Sequence, residues 1–239
     1  MARKFDEGDA DILPILKEAG RYVLARRLQF PDVASAAYQR QLRQIHDMVG
    51  LSVRALLEVR SIAQDMRLIT QMLKRYPWHG IGISRSKHLE FSWFLFVNFC
   101  YLFEEKVKRF YEQTSRIKKF FNKTGENWLR TELAAIRKGI GSHIRRRGDL
   151  IHQWGSPHNA INFYSMIEML AGTGHEQSIR TRKEHLSDSR FFLKTDVRRA
   201  QKCMVAAYLS ILKKEELDLI ESIILFNRQC QDLGVVVRD

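Results

Sequence analysis

A run of arginines followed by a histidine is the part of this sequence best suited to chemistry. It spans residues 145–154 and reads RRRGDLIHQW. Guanidinium groups bind phosphate through paired hydrogen bonds and stabilise charge that develops on it. An imidazole that titrates near neutral pH can move a proton to or from a ribose hydroxyl or a leaving oxygen. Together these groups suffice for metal-free RNA cleavage, in which the 2′-OH of the substrate attacks the adjacent phosphorus.

Helical spacing leaves open which arginine works with the histidine. At 100° per residue, Arg147 lies about 140° around a straight helix from His152, whereas Arg145 lies only about 20° from it. Either Gly148 loosens the helix, or Arg145 is the working residue, or the pairing is made across a dimer.

Each candidate residue also has an ordinary structural explanation. His152 would complement the helix dipole just before a stop at Gly155. The arginines would form a solvated or RNA-binding patch without catalysis, and Asp149 would pair with a neighbouring arginine. Asn98 lies within the apolar run 91–103, where a buried amide needs a hydrogen-bond partner.

Positive charge is concentrated in the middle of the chain. The sequence has 40 Lys and Arg against 27 Asp and Glu, a net charge of +13 that favours a polyanionic partner such as nucleic acid. Between residues 106 and 147, 13 basic residues face three acidic ones, so this stretch contributes +10. The residues that we predict to bind RNA are Lys118, Lys119, Lys123, Arg130, Arg137 and Lys138. The aromatic residues that could stack on RNA bases, or else be buried in the core, are Phe110, Tyr111, Phe120, Phe121 and Trp128.

The elements that position these residues are predicted to be helices. Apolar spacing and capping signals predict them over residues 11–30, 32–48, 52–76, 87–121, 127–153, 159–170 and 195–233, with no strand. Gly50 is a candidate stop for the second helix. We therefore predict an all-α helical bundle with long central helices. Residues 1–50 form an N-terminal helical extension, packed as one compact unit with a main bundle over residues 51–239.

Several functional classes lack their signatures. The sequence has no phosphate-binding loop of the Walker type, no nucleophile elbow and no zincin motif. Its three scattered cysteines argue against a disulfide framework and a zinc finger. Glu215, Asp218 and Glu221 share a helix face, but Lys213 and Lys214 beside them favour a solvated, ion-paired surface. We predict no metal and no cofactor.

The N-terminal sequence and the longest apolar run bear on localisation. Residues 1–7 turn acidic at once, unlike a signal peptide, and the 13-residue run 91–103 is too short to cross a bilayer. We expect a cytoplasmic protein with no membrane partner.

Residues 147–154 resemble the R-x4-6-H motif of HEPN domains, with Leu150, Ile151 and Trp154 matching its apolar and aromatic surroundings. The resemblance extends mainly over residues 88–155. HEPN domains are all-α bundles, and many are metal-independent endoribonucleases of toxin–antitoxin and phage-defence systems. In these proteins two protomers place their motifs face to face.

The resemblance therefore implies an endoribonuclease that acts on RNA as a homodimer with a composite site. His152 would transfer the proton and Arg147 would bind the phosphate. The supporting residues would be Arg145, Arg146, Asp149 and Asn98. An acidic antitoxin or regulatory partner is a further expectation. The alternative is a non-catalytic nucleic-acid-binding or protein-interaction module that uses the basic stretch 106–147.

Overall fold

A computed structural model describes residues 13–19, 22–23, 27–29, 35–74, 83–121, 127–152 and 159–238. Within these residues the protein is an all-α helical bundle, which confirms the predicted fold class. The helices of the described residues are α1 (Leu13–Ala19), α2 (Ala36–Lys74), α3 (Arg85–Phe120), α4 (Leu129–His152), α5 (Asn159–Gly172) and α6 (Glu176–Asp232).

Two short strands form an antiparallel ribbon that the sequence did not predict. The strands β1 (Arg27–Gln29) and β2 (Val236–Arg238) pair with Leu28 opposite Val237. Each strand has three residues. Strands this short carry no alternation of apolar and polar residues that a sequence could reveal.

One long helix, α2, replaces the two helices predicted on either side of Gly50. This glycine is buried, and a β-carbon on it would lie 3.4 Å from the carbonyl oxygen of Val23. Ser52 does not start a new helix, because its hydroxyl donates to the carbonyl of Met48 within α2 at 2.9 Å. The predicted stop at Gly50 is therefore wrong, because the helix continues through this residue.

The chain forms two compact units, each drawn from separate stretches of sequence. Unit 1 comprises Met1–Val59, Lys106–Leu129 and Leu209–Asp239, and unit 2 comprises Arg60–Glu105 and Arg130–Tyr208. Helices α2, α3 and α6 each contribute residues to both units.

Each unit has its own large buried side chains. In unit 1 these include Phe110, Trp128 and Phe226, and in unit 2 they include Trp93, Phe96 and Tyr164. Burial of such rings is the main apolar contribution to stability. The candidate motif at the end of α4 belongs to unit 2.

Candidate functional site

Arg147 is held by two residues of α3. Its Nε–H donates to Oδ1 of Asn98 at 3.2 Å. Its Cζ lies 3.8 Å from the centroid of the Tyr101 ring, a cation–π contact. Asn98 and Arg147 were both candidates from the sequence, 49 residues apart, and the fold brings them together. The hydrogen bond to Asn98 uses Nε of Arg147. The two terminal nitrogens, which can bind a phosphate, take no part in that hydrogen bond.

Tyr101 is a site residue that sequence reasoning missed. It follows Asn98 by three residues, which places the two side chains on neighbouring positions of one helix face. An aromatic residue at this spacing from a polar residue is a weak signal, because most such rings belong to the core. Its role becomes visible only when Arg147 is placed against α3.

The other two arginines of the triplet are exposed. Arg145 and Arg146 lie on α4, and Cζ of Arg146 is 5.8 Å from the centroid of the buried Trp93 ring. The end of α4 therefore presents two guanidinium groups to solvent beside the half-buried Arg147.

Helix α4 continues without a break through Gly148 to His152. The first of the three explanations, a helix loosened at Gly148, is therefore removed. By helical geometry position 147 stays about 140° around the helix from position 152. The remaining explanations are that Arg145 is the working residue or that the pairing is made across a dimer. The side chains of Asp149 and His152 lie outside the described residues, and their roles stay predictions.

Around Asn98, α3 exposes three large apolar side chains. Phe91, Phe94 and Leu102 are 51%, 44% and 38% exposed. Together with Asn98 they occupy an arc of about 80° on one face of α3. Neighbouring exposed apolar side chains of this kind are a common feature of interaction surfaces.

Lys118, predicted to bind RNA, is buried in unit 1. Its Nζ lies 2.8 Å from Oε1 of Glu215 and 2.9 Å from Oδ2 of Asp218. Burial alone would lower the pKa of Lys118, but the hydrogen bonds to the two carboxylates outweigh it and raise that pKa. Lys118 therefore has an internal ionic role.

Glu215 departs from the predicted solvated face. It is 2% exposed, and its Oε1 also accepts a hydrogen bond from Nε1 of Trp128. Its partners are Lys118 of α3 and Trp128, the residue before α4, rather than Lys213 and Lys214. Within the described part of the chain, Oε2 of Glu215 has no hydrogen-bond partner, and a cavity of about 10 Å³ beside it has room for one water.

The remaining predicted RNA-binding residues divide into three groups. Nη2 of Arg137 donates to Oε1 of the buried Glu104 at 2.7 Å, although the Arg137 side chain is 58% exposed. Lys119, Arg130 and Lys138 are exposed. Lys123 lies outside the described residues.

Two of the five candidate stacking rings are core. Phe110 and Trp128 are 0% and 2% exposed, so the core explanation is correct for both. Tyr111 packs edge-on against Trp128 with centroids 5.0 Å apart. The rings of Phe120 and Phe121 pack edge-on with centroids 5.2 Å apart, and both side chains are partly exposed.

Among the described residues, no group of three or more His, Cys, Asp or Glu side chains is arranged to hold a metal ion. The described helices include none with the length and apolar character needed to cross a membrane. Comparison of the chain with family models, with curated proteins and with solved structures finds no match.

Proposed function

We propose that this chain is a metal-independent endoribonuclease of HEPN type that acts as a cytoplasmic homodimer. One observation carries the proposal. The side chain of Arg147 is oriented by Asn98 and Tyr101, five residues before His152 at the end of a basic helix. An oriented guanidinium binds phosphate at a lower entropic cost than a mobile one.

In the proposed reaction the substrate supplies its own nucleophile. The 2′-oxygen of the ribose forms a bond to the adjacent phosphorus, and the bond from phosphorus to the 5′-oxygen breaks. His152 takes the proton from the 2′-OH and returns a proton to the 5′-oxygen. Arg147 binds the non-bridging oxygens, on which negative charge increases. The products are a 2′,3′-cyclic phosphate and a 5′-OH.

A homodimer supplies the pairing that one helix does not. Because positions 147 and 152 face different directions on an unbroken helix, the arginine of one protomer would work with the histidine of the other. The exposed Phe91, Phe94 and Leu102 around Asn98 offer an apolar surface for this contact. The proposed dimer therefore places α3 and α4 of the two copies together.

The charge of the exposed residues supports RNA as the substrate. Arg145, Arg146, Arg130 and Lys138 are exposed in unit 2, and the whole chain carries +13. We assign them to backbone contacts, which supply most sequence-independent affinity. A toxin or phage-defence effector of this charge would be restrained by an acidic antitoxin.

The test is a cleavage assay on mixed structured RNA in EDTA. We expect the wild type to cleave and to leave 2′,3′-cyclic phosphate ends, and His152→Ala and Arg147→Ala to lose at least a hundredfold in rate. RNA affinity of His152→Ala should stay nearly unchanged, because lysine and arginine contacts to the RNA backbone supply most of that affinity.

The matched control is His185→Ala. His185 follows Arg180 at the same five-residue spacing, but on α6, where it contacts the ring of Phe163. This variant should cleave as the wild type does. Equal rates for His152→Ala and the wild type would overturn the proposed catalysis.

The exposure of Arg145 and Arg146 favours a second candidate, a non-catalytic RNA-binding module. For such a module, Arg145→Gln with Arg146→Gln weakens RNA binding and reduces its salt dependence, while His152→Ala changes nothing. If neither change affects RNA, the protein-interaction module is the better description.

A further inference from the structure

We propose that a groove between α2 and α3 in unit 1 binds a nucleoside phosphate. The groove belongs to a different unit from Arg147, and the proposal does not depend on RNA cleavage. Either a free nucleotide or one nucleotide of an RNA strand has the required chemistry.

The groove lies where α2 and α3 run antiparallel. Nζ of Lys106 pairs with Oε2 of Glu58 at 2.7 Å. Further along the same helix pair, residues 44–51 of α2 and 113–120 of α3 line an open volume of about 510 Å³. Ligand pockets for small organic molecules occupy roughly 300–1,000 Å³. The size therefore fits one nucleotide.

One side of the groove combines positive charge with an aromatic ring. Arg116 and Lys119 are exposed, and Phe120 is partly exposed, all on one face of α3. Guanidinium and ammonium groups bind a phosphate, and a phenyl ring stacks on a base. Met48 and Leu51 of α2 add the apolar surface against which a base can be desolvated.

The polar residues of the groove fit the edges of a nucleoside. Gln113 is 7% exposed, and its Oε1 has no hydrogen-bond partner among the described residues. A buried amide oxygen without a donor is costly, and a rotation of the Gln113 side chain towards the groove would let an amino group of a base satisfy it. Asp47 has a side chain 75% exposed and can accept hydrogen bonds from ribose hydroxyls.

This combination favours a nucleoside phosphate over simpler ligands. Inorganic phosphate would use only the two cations, and an apolar ligand would leave Arg116, Lys119 and Asp47 without a role. A nucleoside without phosphate would lose the charge-assisted hydrogen bonds, which are about twice as strong as neutral ones. A nucleoside phosphate uses the cations, the ring and the amide together.

The experiment is calorimetric titration of the full chain with AMP, adenosine and inorganic phosphate, together with anisotropy of a fluorescein-labelled octaadenylate RNA. We expect AMP to bind at least tenfold more tightly than adenosine or phosphate. If the source is an RNA strand instead, the octaadenylate binds and the same variants weaken its binding, whereas AMP alone binds weakly.

The variants separate the parts of the site. Arg116→Gln with Lys119→Gln should weaken binding at least tenfold, and Phe120→Leu about fivefold. The matched control is Lys213→Gln with Lys214→Gln, which removes the same charge from two exposed residues of unit 1 outside the groove. The control should bind normally, and circular dichroism should show all variants folded.

Two results would overturn the proposal: absence of binding to both AMP and the octaadenylate, or equal losses in the groove variants and the control. Cleavage in EDTA by the same variants is a separate readout. If the groove variants lose nucleotide binding but still cleave RNA, the result supports both the nucleotide groove and the separate ribonuclease site. An inactive wild type that still binds AMP contradicts only the ribonuclease.

Discussion

Lys118 shows how a single charge is stabilised inside unit 1. An ammonium with an 11% exposed side chain would be strongly disfavoured without partners, and Glu215 and Asp218 supply them from α6. Lys118 stabilises the folded protein only together with Glu215 and Asp218, because removing one of the three leaves another charge buried and unpaired.

We predict that Lys118→Met destabilises the protein by about 3 kcal/mol at pH 7, since the Glu215 carboxylate then loses its cation. Urea unfolding followed by circular dichroism measures the loss. Lys119→Met, an exposed neighbour, should change stability by less than about 0.5 kcal/mol. The double variant Lys118→Met with Glu215→Gln should recover part of the lost stability. Equal losses of stability in Lys118→Met and Lys119→Met would contradict the ionic role.

The raised pKa of Lys118 fixes the pH range of this effect. The stabilisation is complete below the ordinary lysine pKa of 10.5 and is lost as the pH rises through the raised value. The difference between wild type and Lys118→Met should therefore shrink only in strongly alkaline solution.

This ionic set could not be predicted from the sequence, although the arginine site could in part. Helical spacing showed that Glu215 and Asp218 share a face, but not that the face is buried against a lysine 97 residues away. Asn98 was predicted to need a partner because an amide in an apolar run cannot stay unpaired. The partner, Arg147, follows from the packing of α4 on α3, which spacing alone does not give.

At the scale of elements, the first turn of α3 is capped by a carboxylate from α5. Oε2 of Glu168 accepts from the N–H of Ser86 at 3.0 Å, and Oε1 accepts from the N–H of Arg85 at 3.2 Å. Burial alone would raise the pKa of Glu168, but the hydrogen bonds from Ser86 and Arg85 outweigh it and hold that pKa below its usual value. The cap joins two helices of unit 2.

We predict that Glu168→Gln destabilises the protein by about 1 kcal/mol at pH 7, because a neutral amide caps a helix N-terminus less well than a carboxylate. Because the pKa of Glu168 is lowered in the folded protein, its carboxylate stabilises the fold at pH values above the ordinary pKa of 4.5. This stabilisation is lost as the pH falls through the folded-state pKa. Thermal unfolding between pH 3 and pH 7 should show the two proteins converging in acid.

The control for this cap is Glu184→Gln, an exposed position on α6. This variant removes the same charge from a residue in the interior of α6, where the side chain does not cap the end of a helix. A difference between wild type and Glu168→Gln that persists unchanged at pH 3 would contradict the electrostatic explanation.

Element boundaries were the least predictable part of the fold. The long amphipathic helices follow from apolar spacing, whereas Gly50 was misleading because a glycine that ends a helix and a glycine inside a helix look alike in sequence. The β-ribbon depends on residues more than 200 positions apart, and nothing local to either strand predicts it.

At the scale of the whole molecule, the proposed homodimer has a direct test. Phe94→Asp places a charge in the apolar stripe beside Asn98 and should convert the dimer to a monomer with much lower cleavage, because burying an unpaired carboxylate in an interface is costly. Light scattering on a size-exclusion column measures the mass.

The matched control is Leu217→Asp, at a residue that is 74% exposed on α6 in unit 1. It introduces the same charge at an equally apolar position and should remain dimeric. A monomeric wild type, or equal dissociation of both variants, would remove the dimer from the proposal.

The discontinuous make-up of unit 1 has a consequence for protein synthesis. A ribosome delivers residues in order, so all of Arg60–Tyr208 emerges before the last stretch of unit 1, Leu209–Asp239. Domains begin to fold as soon as their residues are available. Unit 2 can therefore fold on the nascent chain before the last helix segment of unit 1 has been synthesised. The strand β2, which pairs with β1, belongs to the same late stretch. An early cleavage of the nascent chain would release a finished unit 2 attached to an unfinished unit 1.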